Sequence, residues 1–442
     1  MVSDAAVRTS VANLVTSRPL VAVFFAGATG IGHYTLRELA RATADHPGAK
    51  GFRAYVVARR ENVAREVIAE CGALIRDGVS DVAVVDDVTG GGGGGGDGVE
   101  GDAGAGSKAT AEFVFVQTSD LSLMGEVDRV CARITELETA RAGRAGDVAR
   151  IDYLLFTQGC VVYQPRKDTE EGLDFTMSIL YYSRMRALTQ LLPLLLAASR
   201  SSSSASSSSP PAEQQPDNHA TVVSVFAAGT EDTLHAENLA LDNPVSDYTY
   251  NTARSHMNYM HTLFFEQLAR DPPEPGRPTP TGSGKGLTLV HVFPGLVNGP
   301  GFQSSEMPSW FRVLWSWVVV PLLGWAAFTK AEVCGRRILS LTDAQRYPPS
   351  SSSSSSSSPP TGSNAAGGGS VEEGVVRSTT GETGPGGGTY ALGSSIDDTF
   401  NSAKYAGLDR AAMREAVWRH TMDAFDTIAA GKVFTGAKQA AQ

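Results

Sequence analysis

The chain has 442 residues and a formal net charge of −10, with 47 Asp and Glu against 37 Lys and Arg. No stretch of it gathers basic and aromatic residues together, which argues against a nucleic-acid-binding surface. Cys71, Cys131, Cys160 and Cys334 are scattered without metal-ligand spacing, so the expectation is buried thiols, a reducing compartment and no metal.

The N-terminal segment bracketed by Arg8 and Arg18 is too polar for a signal core, and a soluble cytoplasmic protein is expected. Stretches rich in Gly, Ser and Pro at 90–109, 199–218, 271–285 and 348–388 bury too little apolar surface to offset their ordering entropy. The first three read as disordered insertions and the last as a linker. The remainder divides into one α/β domain over 19–347 and a C-terminal helical appendage over 389–442.

Residues 21–25, Val-Ala-Val-Phe-Phe, predict a short strand buried on both faces. Gly27-Ala28-Thr29-Gly30-Ile31-Gly32 follows, and then Leu36, Leu39 and Ala40 recur at helical spacing. Strand, glycine turn and helix form the opening unit of a dinucleotide-binding fold. The glycines allow a tight turn and close approach of a pyrophosphate to the free N–H groups of the helix start. Gly27, Thr29, Gly30, Ile31 and Gly32 are therefore candidate cofactor-binding residues. A second strand over 51–57 runs into Arg59 and Arg60. An acid there would hold the ribose 2′-hydroxyl of NAD, whereas an arginine accommodates the 2′-phosphate of NADP. Arg59 favours NADP, and Glu61 leaves NAD open.

An amphipathic helix over 62–75 carries Val63, Val67, Ile68 and Leu74 on one side. Strands are expected at 82–85 and 112–117. After the latter, Asp120 either reaches an adenine amino group or caps the helix over 123–138. A strand over 151–156 ends near Gly159, and a long helix spans 175–198 with Pro193 as a kink or a terminus. Residues 221–226 form the next strand, 248–270 a helix, and 287–292 a strand entering Phe293-Pro294-Gly295. This alternation predicts a Rossmann-type, doubly wound parallel sheet. His256 and His261 lie five apart on one helix and read as structural. Thr281–Gly286 lacks a hydroxyl residue after Lys285 and is not a phosphate loop. The tryptophan-rich stretch 310–328 reads first as a lid or core segment over a bulky apolar substrate, and second as a membrane contact. A closing amphipathic helix covers 411–429.

The glycine turn, Asp120-Leu121-Ser122, Gly159, the strand before Gly229, the Tyr248 region and Pro294-Gly295-Leu296-Val297 together resemble the short-chain dehydrogenase/reductase superfamily from about residue 21 to 300. Within it, GATGIGHYTLREL, TSDLSLMGEVDRVC and VVSVFAAGTE are similar to fungal reductases often associated with secondary metabolism. The resemblance implies NADP(H)-dependent reduction of a carbonyl, or oxidation of an alcohol, on a mid-sized organic substrate. It also implies cofactor contacts at Asp120, Leu121, Gly159, Pro294, Gly295 and Val297. The family uses a tyrosine acid, a lysine one helical turn on, a serine after the fifth strand, and a relay asparagine.

Tyr248 takes the tyrosine position and is the expected catalytic residue, yet four residues on stands Thr252. A register shifted by two pairs Tyr250 with Arg254 instead. The serine falls on Ala227 or Phe226, and the asparagine on Tyr181. These departures leave an alternative: a dinucleotide-binding sensor or scaffold that has lost its relay. The expected partner is a small-molecule substrate, with self-association left open.

Overall fold

A computed structural model describes residues 2–76, 81–86, 110–159, 165–200, 219–242, 248–270, 286–297, 310, 314, 317, 328–350, 375–380 and 387–436. Insertions expected at 90–109 and 271–285, nearly all of 199–218, most of the 348–388 linker, and Cys160 lie outside them.

The strands are β1 (Leu20–Phe25), β2 (Phe52–Ala58), β3 (Asp81–Asp86), β4 (Thr110–Gln117), β5 (Tyr153–Phe156), β6 (Ala220–Val225), β7 (Leu287–Val292) and β8 (Thr389–Leu392). They form one sheet in the order β3-β4-β2-β1-β5-β6-β7-β8, and every neighbouring pair is parallel. The two-residue period of a strand explains how β1 serves two cores. Val21, Val23 and Phe25 enter one hydrophobic layer, while Leu20, Ala22 and Phe24 enter the other. After β1 the chain builds outward through β2, β4 and β3, then returns with β5 on the other side of β1. The order therefore reverses between β1 and β5, and such reversals open a crevice at the carboxyl ends of the strands.

Helices α2 (Gly30–Asp45), α3 (Glu61–Arg76), α4 (Met124–Ala145), α6 (Ser183–Arg200) and α7 (Tyr250–Ala269) follow strands as the periodicity predicts. Ahead of α6, the short α5 (Phe175–Met177) continues through a π-helical turn, Ser178–Tyr182, and Pro193 lies inside α6. An N-terminal helix outside the expected domain, α1 (Asp4–Ser17), is capped by Ser3 and buries Val7, Val11 and Val15 at a spacing of four. The helix α8 (Ala331–Leu339) packs against α2, with Gly335 close to the Tyr34 carbonyl.

Residues 389–436 contribute a strand as well as helices. Thr389–Leu392 pairs with Leu289–Val292 as the eighth strand. Beyond a short turn of helix, α9 (Ser402–Tyr405), α10 (Arg410–Ala429) lies on α7. Trp418 stacks on Phe264 with centroids 4.6 Å apart. Fully buried Glu266 on α7 binds Arg410 and Arg414 from α10. The C-terminal segment thus completes both the sheet and the core.

Candidate active site

At the β1–β5 crevice lies a cavity of about 400 Å³. It is lined by residues that follow four strands: Thr29, Gly30 and Ile31 after β1; Thr157, Gln158 and Gly159 after β5; Phe226 and Ala227 after β6; and Phe293, Pro294, Gly295 and Val297 after β7. Tyr250 and Arg254 of α7, and Leu180 and Arg184 from the α5–α6 region, close it.

The glycine turn explains the tight βα junction. Gly30 has φ of 55°, in the left-handed region that favours glycine, at the first position of α2. At Gly32 a Cβ would meet the Ala26 carbonyl at 2.5 Å and Thr157 Oγ1 at 2.8 Å, so only hydrogen fits between helix and strand. Thr29 stands at the N-cap without a side-chain capping bond, and no acid lies in the first turn of α2. The positive end of a four-turn helix therefore faces the cavity beside a backbone that can approach a ligand closely.

Arg59 is exposed directly after β2, on the same edge of the sheet. Asp120 is half-buried and its Oδ1 accepts the Ser122 N–H at 2.8 Å within the turn ahead of α4, whose N-cap Leu123 has no side-chain capping bond, while Leu121 is buried. Gly27, Gly32, Arg59, Asp120 and Leu121 lie outside the cavity lining; Thr29, Gly30, Ile31, Gly159, Pro294, Gly295 and Val297 lie in it.

The structure does not bring Tyr248 to the cavity. Thr249 is the N-cap of α7, with its side chain accepting the Thr252 N–H, so Tyr248 precedes the helix. Its hydroxyl donates to Asp174 Oδ1 at 2.7 Å. Burial, and then the Asp174 carboxylate, push the phenol further above its ordinary value. Tyr250, the first residue of α7, lines the cavity with Arg254 one turn on. The Arg254 guanidinium donates to the Thr230 hydroxyl and carbonyl. The N-cap preference of threonine is the local signal that separates the two tyrosines.

Tyr181 is buried away from the cavity, its hydroxyl 2.8 Å from Thr421 Oγ1. Leu180 and Arg184 reach the cavity from this helical region, and sequence periodicity does not single out Arg184. The π turn just before α6 inserts a residue and rotates the following face. Ser224 is buried beneath it, between Arg184 Nη1 at 2.9 Å and His261 Nε2 at 3.1 Å. His261 Nδ1 bonds the Met257 carbonyl at 2.7 Å. Burial, reinforced by His291 and Arg184, pulls this imidazole well below the ordinary range. His256 accepts the His235 N–H and is pulled down by burial to about 3.

No family model matches the chain. It is 31% identical over 424 residues to the short-chain dehydrogenase/reductase SAT2 of Stachybotrys chartarum, covering 96% of each protein. The chain belongs to the short-chain dehydrogenase/reductase family. An oxidoreductase of Emericella nidulans is 26% identical over 427 residues, covering 96% of this chain and 98% of its own. Among solved structures, a Pseudomonas aeruginosa RhlG/NADP active-site complex aligns at 16% identity and a TM-score of 0.41, over 74% of this chain and 91% of the other. Four residues after Tyr250 stands the cation Arg254, whereas four residues after Tyr248 stands the uncharged Thr252.

Among the described residues, Cys71, Cys131 and Cys334 are free and buried. No helix among them is long and apolar enough to cross a membrane. Most of the expected lid at 310–328 lies outside the described residues, although Trp310 and Trp317 are exposed.

Proposed function

We propose that the chain is an NADP(H)-dependent oxidoreductase that reduces a carbonyl, or oxidises the corresponding alcohol, on a mid-sized organic molecule of the secondary-metabolite kind. One observation carries this reading: the glycine turn after β1 and the Tyr250–Arg254 pair of α7 line the same cavity. The residues fit a dinucleotide. Gly32 admits no side chain, the start of α2 has no side-chain cap, and Arg59 is exposed directly after β2, suited to a 2′-phosphate.

When bound, NADPH would be held by the glycine turn, the start of α2 and Arg59, and would supply the hydride for the substrate carbon. Tyr250 donates its phenolic proton to the oxygen as negative charge develops there, or takes the proton in the reverse direction. Arg254 favours the resulting phenolate by charge, and an arginine stabilises without relaying a proton as a lysine can. Ala227 offers no hydroxyl at the position of the family's polarising serine, and the nearby Thr230 hydroxyl already donates to the Ala227 carbonyl.

That missing hydroxyl, with arginine in place of lysine, favours a second reading, a dinucleotide-binding sensor without turnover. Titration with NADPH and NADH, followed by quenching of tryptophan fluorescence, tests the common part of both. Micromolar NADPH binding with weaker NADH binding is expected, and binding of neither would overturn both. Loss of turnover in Tyr250→Phe with NADPH affinity retained then separates enzyme from sensor.

A further inference from the structure

Arg184 lines the cavity yet is only 1% exposed. Nη1 donates to Ser224 Oγ at 2.9 Å and to the Val225 carbonyl at 2.8 Å, and Nη2 donates to the Gln158 carbonyl at 2.5 Å. All three acceptors are neutral. Nε is buried without an acceptor. Among the described residues, the charged partner that favours the guanidinium is Tyr250, which is neutral until its phenol ionises.

The groups behind Arg184 do not supply an anion. With His261 Nδ1–H donating to the Met257 carbonyl, Nε2 is the acceptor, so Ser224 donates to it while receiving Arg184. His291 stacks on His261 at 4.7 Å and is pulled down by burial to about 3. The same burial pulls the guanidinium of Arg184 down to about 9, which still leaves a cation at neutral pH.

The described lining of the cavity contains two arginines and no Asp or Glu, in a chain whose net charge is −10. Arg254 is half-exposed and held by Thr230 next to Tyr250; Arg184 is not solvated and keeps an N–H unused. The remaining walls are mostly apolar, with Ile31, Leu180, Val225, Phe226, Phe293 and Val297. A buried cation without a counter-ion is costly, and the group that best relieves it is a planar anion accepting from guanidinium N–H.

We propose that the substrate carries a carboxylate on an apolar body, and that the guanidinium of Arg184 draws this carboxylate into the cavity. The proposal deepens the functional reading above and rests on it for cofactor and reaction. It assigns Arg184 to substrate selection, separate from Tyr250 and Arg254.

The test is calorimetric titration of the full chain, saturated with NADP⁺ at pH 7.5, with 2-naphthoate and with 2-naphthamide. The two probes share size and shape and differ in charge. Naphthoate is expected to bind at least tenfold more tightly. Arg184→Gln should bring the two within about twofold without changing NADP⁺ affinity, and Arg184→Lys should restore part of the preference. Equal binding of both probes by the wild type, binding of neither, or a preference that survives Arg184→Gln would overturn the proposal. Should Arg184→Gln fail to fold, Arg254→Gln decides: a preference kept there supports Arg184, and one lost there overturns it. Failure of the wild type to bind NADP⁺ would instead overturn the cofactor reading.

Discussion

Tyr248 donates its hydroxyl to Asp174 at 2.7 Å, and this bond separates it from Tyr250, two residues away in sequence and in the cavity lining. Tyr248→Phe should therefore keep NADPH binding and turnover, and lose about 1.5–3 kcal/mol of stability for one hydrogen bond to a carboxylate. Tyr250→Phe should lower kcat by about 10²–10⁴-fold, the usual contribution of a positioned acid. Steady-state kinetics with a reducible substrate compares the two. The opposite ranking would restore Tyr248 as the acid.

Gly32 touches the Ala26 carbonyl and Thr157 through space that a methyl would fill. Gly32→Ala should cost about 1–3 kcal/mol as an overpacked contact and should abolish measurable NADPH binding. Thermal unfolding and fluorescence titration read the two effects separately. A folded variant with normal NADPH affinity would place the dinucleotide elsewhere.

Arg59 is exposed at the end of β2. Loss of a charge-assisted contact to a 2′-phosphate is worth about 1.5–3 kcal/mol, so Arg59→Ala should weaken NADPH by tenfold or more and leave NADH unchanged. Parallel loss of both cofactors would assign Arg59 to folding.

Glu266 is fully buried between Arg410 and Arg414. Glu266→Ala leaves the part-exposed Arg410 and the nearly buried Arg414 without their carboxylate and should cost about 3 kcal/mol, the low end for a broken buried pair. Urea denaturation measures this. A loss below about 1 kcal/mol, the level of an exposed pair, would mean that α10 is held by Trp418 and its apolar neighbours alone.

His256 and His291 are pulled down by burial to about 3, and His420, bonded to the Tyr182 hydroxyl at 2.7 Å, to about 4. Folded values below the ordinary 6.5 mean that the unfolded chain takes up protons first as pH falls. The stability held by these groups is whole above about pH 6.5 and is lost as pH falls toward 4 and then 3. Its slope is at most about 1.4 kcal/mol per pH unit for each histidine. Asp174 and Glu231, raised by burial, act in the opposite sense in the acid range. Urea midpoints between pH 8 and 4.5 should fall most steeply below pH 6.5, and a flat profile would contradict neutral burial of these imidazoles.

Most of the sheet was legible in the amino-acid order because strand and helix signals are local. The apolar run before Gly27, the period of two that sends Val23 and Phe24 into different layers, and the heptad-like spacing in α3 and α4 need no knowledge of distant residues. The glycine turn was legible for the same reason: a tight βα junction depends on backbone freedom at Gly30 and space at Gly32. β8 was not legible. Four residues, Thr389–Leu392, carry too little pattern to announce a strand, and they become one by pairing with β7, a hundred positions earlier in the chain.

The site divides along the same line. Sequence determined that a dinucleotide turn, a strand-end arginine and a helix bearing a tyrosine would share the carboxyl edge of one sheet. Only tertiary structure decided which tyrosine faces the cavity, because Tyr248 is claimed by Asp174, 74 residues away. It also decided that Arg184 is a cavity residue, because a π turn rotates its helix and Ser224, 40 residues on, holds its guanidinium. Side-chain orientation and buried charge depend on long-range partners, and a local pattern carries no record of them.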